Sequence, residues 1–187
     1  MADNPERVKI WNSFFGLAWS AAKEAHEADT GRICRDVFNP DGGTLPPALH
    51  HSLATITLCN LAIEARVNHL LEELIEERKV SEDIGRAARW LPTKEKWFLL
   101  PALAGKSRTL SAAAMPHQAI AAICDFRNDL VHVNFDKLAN LPTGRLLQSY
   151  FENFVKAMED MNVVLERGRP HGPIQKVIDI GRFTECE

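Results

Sequence analysis

In the stretch FRNDLVH, residues 126–132, an arginine interrupts an apolar helical pattern and a histidine follows five residues later. Arginine stays charged and presents a planar fork of donors that matches a carboxylate or a phosphate. Histidine gains and loses its proton near neutrality. Between them stand an amide, Asn128, and an acid, Asp129. These residue types could grip an anionic oxygen and move a proton beside it.

Helical geometry limits how they can cooperate. Stepping about 100° per residue from Ile120, residues Ile123, Cys124, Phe126, Leu130, Val131 and Val133 cover one broad face. Arg127 falls near the middle of that face, and His132 falls on the opposite side beside Asn128 and Asp125. An unpaired buried charge is very costly, so Arg127 needs a carboxylate, a phosphate or contact with water. Two readings are open. Arg127 could pair with a core carboxylate such as Glu64 while His132 ends the helix, or both could serve an anionic ligand. A continuous helix sets the two residues about 140° apart. A shared ligand therefore requires a bend near Val131 or a second chain.

The elements that must position these residues are helical throughout. Val8, Trp11, Phe15, Ala18 and Ala22 recur at helical spacing over residues 5–27, after Pro5 in the first turn. The breakers of residues 28–47 (DTGR, then NPDGGTLPP) predict a loop. From Pro47 to about Lys79 the stripe Ile56, Cys59, Ile63, Val67, Leu70 and Leu74 predicts the longest helix, with Glu64, Asn68 and Glu72 four apart on its other face. Ser81 is placed to cap a short helix ending near Trp90, and Thr93 to cap another closed by Gly105. Pro116 opens the helix that carries the arginine, and Thr143 opens the last one. There Leu147, Phe151, Phe154, Met158, Met161 and Leu165 form a core stripe. The tail, 169–187, breaks helix at RPHGPIQ and could pair as a strand or lie outside the bundle. The reading is a single all-α domain, an antiparallel four- to five-helix bundle with an extra N-terminal helix.

Composition bounds the classes. The 187 residues are 45% hydrophobic and 25% charged, with a formal net charge of -3, an ordinary globular balance with no global basic field. Charge is nonetheless uneven: residues 78–108 hold eight Lys/Arg against three acids. Lys94, Lys96, Lys106 and Arg108 are thus candidates for following a phosphate backbone, although a solvated helical face would read the same. The longest uncharged run, about residues 47–63, contains histidines, serine, threonines and Asn60, so no membrane span is expected. The N-terminus has early acids and no apolar leader segment. Cys34, Cys59, Cys124 and Cys186 are scattered without a C-x-x-C pair, which predicts reduced thiols and a cytoplasmic protein.

The run RNDLVH resembles the R-(polar)-x-x-x-H signature of HEPN domains, helical bundles that bind nucleotides. The resemblance covers roughly residues 50–165 and includes the long helix with its Glu64 and Asn68 face. It implies a bundle that dimerises and brings two Arg/His pairs into one cleft. Many members are metal-independent endoribonucleases that act as toxins or antiphage effectors, for which an antitoxin protein is a further partner; others bind without cleaving. Carried over, Arg127 and His132 take the catalytic positions and Asn128 the polar position.

The chemistry suits those residues. Attack of a ribose 2′-OH on the adjacent phosphorus needs one group to take a proton and another to protonate the leaving oxygen, which His132 from two chains could supply. Arg127 would stabilise charge on the nonbridging oxygens, and Asp129, three residues before His132, could orient the imidazole. No metal or cofactor is called for. Against this reading stand a non-enzymatic interaction module of the same fold and a metal-dependent hydrolase built on His50, His51 and His69. His69 with Glu72 and Glu73 reads more simply as an exposed ion pair. Arg167 and His171 nearly repeat the motif's spacing outside any such context.

Overall fold

A computed structural model describes residues 5–29, 47–107, 110–132 and 142–167. Six helices are present among them: α1 (Pro5–Asp29), α2 (Pro47–Glu76), α3 (Glu82–Arg89), α4 (Thr93–Leu103), α5 (His117–Val131) and α6 (Gly144–Val164). No strand occurs in the described residues. The fold is an all-α helical bundle. The tail expected at 169–187, most of the loop at 28–47, Cys34, Cys186, Arg108 and Val133 lie outside the described residues.

Helix α2 is the shared wall. Its predicted stripe, Ile56 through Leu74, is buried along its whole length. The helices α1, α3, α4, α5 and α6 all pack against it, α1 most extensively. Helix α6 closes the other side with its predicted stripe, and Leu147, Phe151, Phe154, Met158, Met161 and Leu165 are all buried. Phe15 of α1 meets this stripe in an aromatic cluster, stacking on Phe154 at 5.5 Å between ring centroids. Such pairs add to their burial energy through ring quadrupoles.

The helix ends follow local chemistry. The Ser81 hydroxyl accepts from the Ile84 amide at 3.4 Å, a long capping bond. The cap expected at Thr93 falls one residue earlier, at Pro92, whose ring fixes an extended approach and which has no N–H to satisfy. Thr143 holds the last N-cap with extended backbone, but its hydroxyl makes no capping bond. Gly105 ends α4 at φ +71°, in the left-handed region that favours glycine. Close approach explains a second glycine. A Cβ on Gly85 would lie 2.3 Å from the end of the Ile75 side chain, which would have to turn aside for α3 to keep its place on α2. Arg167, after α6, hydrogen-bonds Glu77 just past α2 and so ties the two helix ends together.

Phe154 is fully buried, and its truncation leaves a cavity between α1 and α6. Phe154→Ala is expected to lower the unfolding free energy by about 3–5 kcal/mol, read from urea denaturation. A loss below 1 kcal/mol would mean that α1 does not close on α6 through this ring.

Candidate functional site

Five segments border one cleft of about 400 Å³, among them the end of α3 with Arg89. Helix α2 contributes Asn60 and Glu64; the turn between α3 and α4 contributes Trp90, Leu91 and Pro92; α4 contributes Lys94 and Lys96; α5 contributes Cys124, Asp125, Arg127 and Asn128. Its volume falls in the range of ligand sites, about 300–1,000 Å³.

Arg127 reaches the cleft through its position along the helix. Around the helix it stands where the sequence places it, in the apolar arc. Along the axis, however, the core runs out: Ile120, Ile123 and Cys124 are buried, Arg127 is half-buried, and Val131 is 56% exposed. The guanidinium therefore emerges from the core into the cleft mouth. Its hydrogen bond is to the neighbouring Asn128 Oδ1 at 3.3 Å. Among the described residues no carboxylate lies within 4.0 Å of it, so Glu64 lines the same cleft without forming the ion pair that the sequence left open. Such an arginine is available to an anion.

The two lysines differ. Lys94 is committed, with Nζ 2.7 Å from Asp125 Oδ1, and that hydrogen bond holds its pKa above the ordinary lysine value. Lys96 is 7% exposed and donates to Asn68 Oδ1 at 2.8 Å. Its stem lies in the core while its head meets the polar face of α2, a form of snorkelling. Burial lowers its pKa, and the nearby Glu64 charge opposes that fall. The cleft cysteine contributes no nucleophile near neutrality, since burial pushes the Cys124 thiol up to about 12.

Not every residue singled out in the sequence converges here. His132 ends α5 as its C-cap residue, exposed, with its amide donating to Asn128 O at 3.1 Å. That bond continues the helical ladder, so the chain does not bend at Val131, and His132 lies outside the cleft lining. Asp129 is also outside it. Lys106 is elsewhere, 2.7 Å from Glu166. Arg167 is engaged by Glu73 and Glu77. The exposed pair expected at His69 is instead buried: His69 Nε2 lies 3.1 Å from Glu73 Oε1, while Glu72 takes Arg89 at 2.8 Å. His51 faces Glu24 at 3.3 Å. Among the described residues no group of three His, Cys, Asp or Glu side chains is placed to hold a metal ion. No helix among them is long and apolar enough to cross a membrane.

Two cleft residues escaped the sequence reading. Asn60 is 3% exposed and makes no side-chain hydrogen bond among the described residues. Trp90 is 86% exposed, the most exposed large hydrophobic side chain described. The signal for Asn60 was present: it stands four residues before Glu64, in register with Asn68 and Glu72. Trp90 carried no periodic signal, because it sits in the turn after α3. No family model, curated protein or solved structure matches this chain.

Arg127 and Lys96, the cleft cations without a carboxylate in contact, weigh little or negatively in folding, and this can be measured. Arg127→Met keeps the reach and the apolar stem without stranding a carboxylate, so melting temperature is expected to hold or rise. A fall corresponding to about 3–5 kcal/mol would reveal a structural ion pair. For Lys96 the sign depends on pH. A lysine whose pKa is lower folded than unfolded opposes folding at neutral pH, and the penalty fades as pH rises through the folded value towards the ordinary one. Lys96→Met is therefore expected to melt higher than wild type at pH 7, with the gap narrowing in alkali. A gap that widens with pH would contradict the burial argument.

Proposed function

We propose that this protein is a metal-independent endoribonuclease whose cleft seats a phosphate of the RNA chain. The observation that carries the reading is the Arg127 guanidinium, half-buried at the cleft mouth beside Asn128, with no carboxylate within 4.0 Å among the described residues. Lys96 places a second cation in the same cleft, and the R-x4-H resemblance to HEPN domains supplies the reaction class. Arg127 binds the nonbridging oxygens and stabilises the charge that grows there. The ribose 2′-OH attacks the adjacent phosphorus as the P–O5′ bond breaks, and the one His132 imidazole at the site takes the 2′-OH proton and hands it to the leaving 5′-oxygen.

His132 stands outside the cleft lining of its own chain. In this reading the protein acts as a homodimer in which His132 of one chain serves the Arg127 of its partner. An isologous two-fold contact beside the α5 terminus would build both composite sites at once. The position of His132 also favours a second reading, a non-catalytic cleft that holds RNA without cutting it.

The test is RNA cleavage with EDTA present. Wild type is expected to cut single-stranded RNA, leaving 2′,3′-cyclic phosphate ends, and to leave DNA intact because it lacks the 2′-OH. A requirement for divalent ions, or equal cutting of DNA, contradicts the mechanism; binding without cutting establishes the second reading. Geometry is tested by mixing Arg127→Met with His132→Ala, each inactive alone. Random exchange makes half the dimers mixed, each with one intact composite site, so about a quarter of wild-type activity should return. No recovery, with exchange shown by mass spectrometry, would place both residues in one chain's site.

A further inference from the structure

We infer that the cleft contains a nucleobase subsite formed by Trp90 and Asn60, which makes single-stranded nucleic acid its ligand class. The inference rests on the phosphate-binding reading of Arg127 and extends it from the backbone to the base.

Trp90 is the first observation. An indole loses favourable burial when left in water, and this one is 86% exposed while lining a polar cleft. It is held there by the chain. Its amide donates to Ala87 O at 3.2 Å, the Leu91 amide donates to Ala88 O at 3.1 Å, and Pro92 fixes the next backbone angle. Ala88 on one side of the turn and Trp97 on the other are buried anchors. A three-residue turn between docked helices cannot carry its indole down into the core. The turn therefore keeps the indole at the cleft edge, open to a planar partner.

Asn60 is the second, independent observation. The residue is 3% exposed and lines the same cleft, and its carboxamide makes no side-chain hydrogen bond among the described residues. What little of Asn60 is open faces a cleft rather than bulk solvent, so its donor and acceptor are available to a ligand seated there. A carboxamide offers a donor and an acceptor side by side, the pattern that a base edge presents in return. Stacking on an exposed aromatic ring with hydrogen bonds to the base edge is how unpaired bases are held, and it is closed to bases stacked within a duplex. Arg127 and Lys96 in the same cleft supply cations for the adjoining phosphate. An apolar protein surface would satisfy Trp90 but offer nothing to the Asn60 carboxamide or to the Arg127 charge.

The experiment uses the full chain and fluorescein-labelled probes that it cannot cleave: a twelve-residue single strand of DNA, the same strand as a duplex, and an abasic strand of equal length. Wild type is expected to bind the base-bearing single strand at least tenfold more tightly than either alternative. Trp90→Ala should weaken that binding about ten- to hundredfold and leave the abasic strand unaffected. Trp90→Phe should retain most of the affinity, and Asn60→Ala should reduce discrimination among bases. Affinity for the base-bearing strand within twofold of wild type in Trp90→Ala overturns the inference. If Arg127→Met abolishes binding in that case, the phosphate reading survives alone. Loss with Trp90→Ala but not with Arg127→Met upholds the base subsite and removes the phosphate reading. A Trp90→Ala protein that instead changes its self-association by light scattering, with probe affinity unchanged, shows the indole to be a contact between copies and overturns the inference.

Discussion

Every other helix among the described residues packs on α2, and that constraint governs what the rest of the molecule can do. A helix contacted from several sides must be apolar over most of its circumference. Ile56 through Leu74 meet that demand. One polar strip on the side of α3, α4 and α5 is Asn60, Glu64, Asn68 and Glu72, each four residues from the next; off it, Arg66 donates to Asn162 and His69 pairs with Glu73. The strip cannot be solvated freely, because α3, α4 and α5 stand close by. Asn68 takes the Lys96 ammonium and Glu72 takes Arg89. Asn60 and Glu64 border the cleft. The cleft is thus where the polar strip of the central helix is left open by its neighbours.

Charge placement follows from the same geometry. The cations at this end of the bundle fall into two groups. Lys94 and Arg89 are paired with carboxylates, and exposed pairs of that kind hold side chains in place more than they stabilise a fold. Lys96 and Arg127 are half-desolvated or buried without a carboxylate in contact, an arrangement that opposes folding slightly and favours an incoming anion. A protein with a net charge of -3 need not be basic overall to bind a phosphate chain. Two positive groups with reduced access to water, in a concave site, concentrate the field where it matters.

The helices were largely legible in the sequence because each carries a stripe with a single period. The stripes of α2 and α6 are buried residue for residue, and the breakers and caps located most ends within one or two positions. The site was legible only in part. The helical wheel assigns Arg127 its angle but not its depth, and depth is what decides the matter: the core ends between Cys124 and Val131. His69 read as exposed because its own helix cannot reveal what covers it. Its partner Glu73 is in turn met by Arg167 at 3.6 Å, from nearly a hundred residues away. Trp90 lies in a turn, where periodicity carries no information, and its exposure follows from the short connection between two docked helices. His132 lies outside the cleft lining of its own chain, so the proposed pairing with Arg127 calls for a second chain, which no intrachain pattern specifies.

The central claim is that the Arg127 guanidinium receives a phosphate of the nucleic acid backbone. The most direct measurement is the distance from that guanidinium to phosphorus in a crystal structure of the full chain with a 2′-O-methyl RNA strand, which cannot undergo cleavage. The account predicts a nonbridging oxygen within about 3 Å of an Arg127 nitrogen, the range of a charge-assisted hydrogen bond. A strand bound elsewhere, with Arg127 turned onto Glu64 and the cleft empty of phosphate, would contradict it.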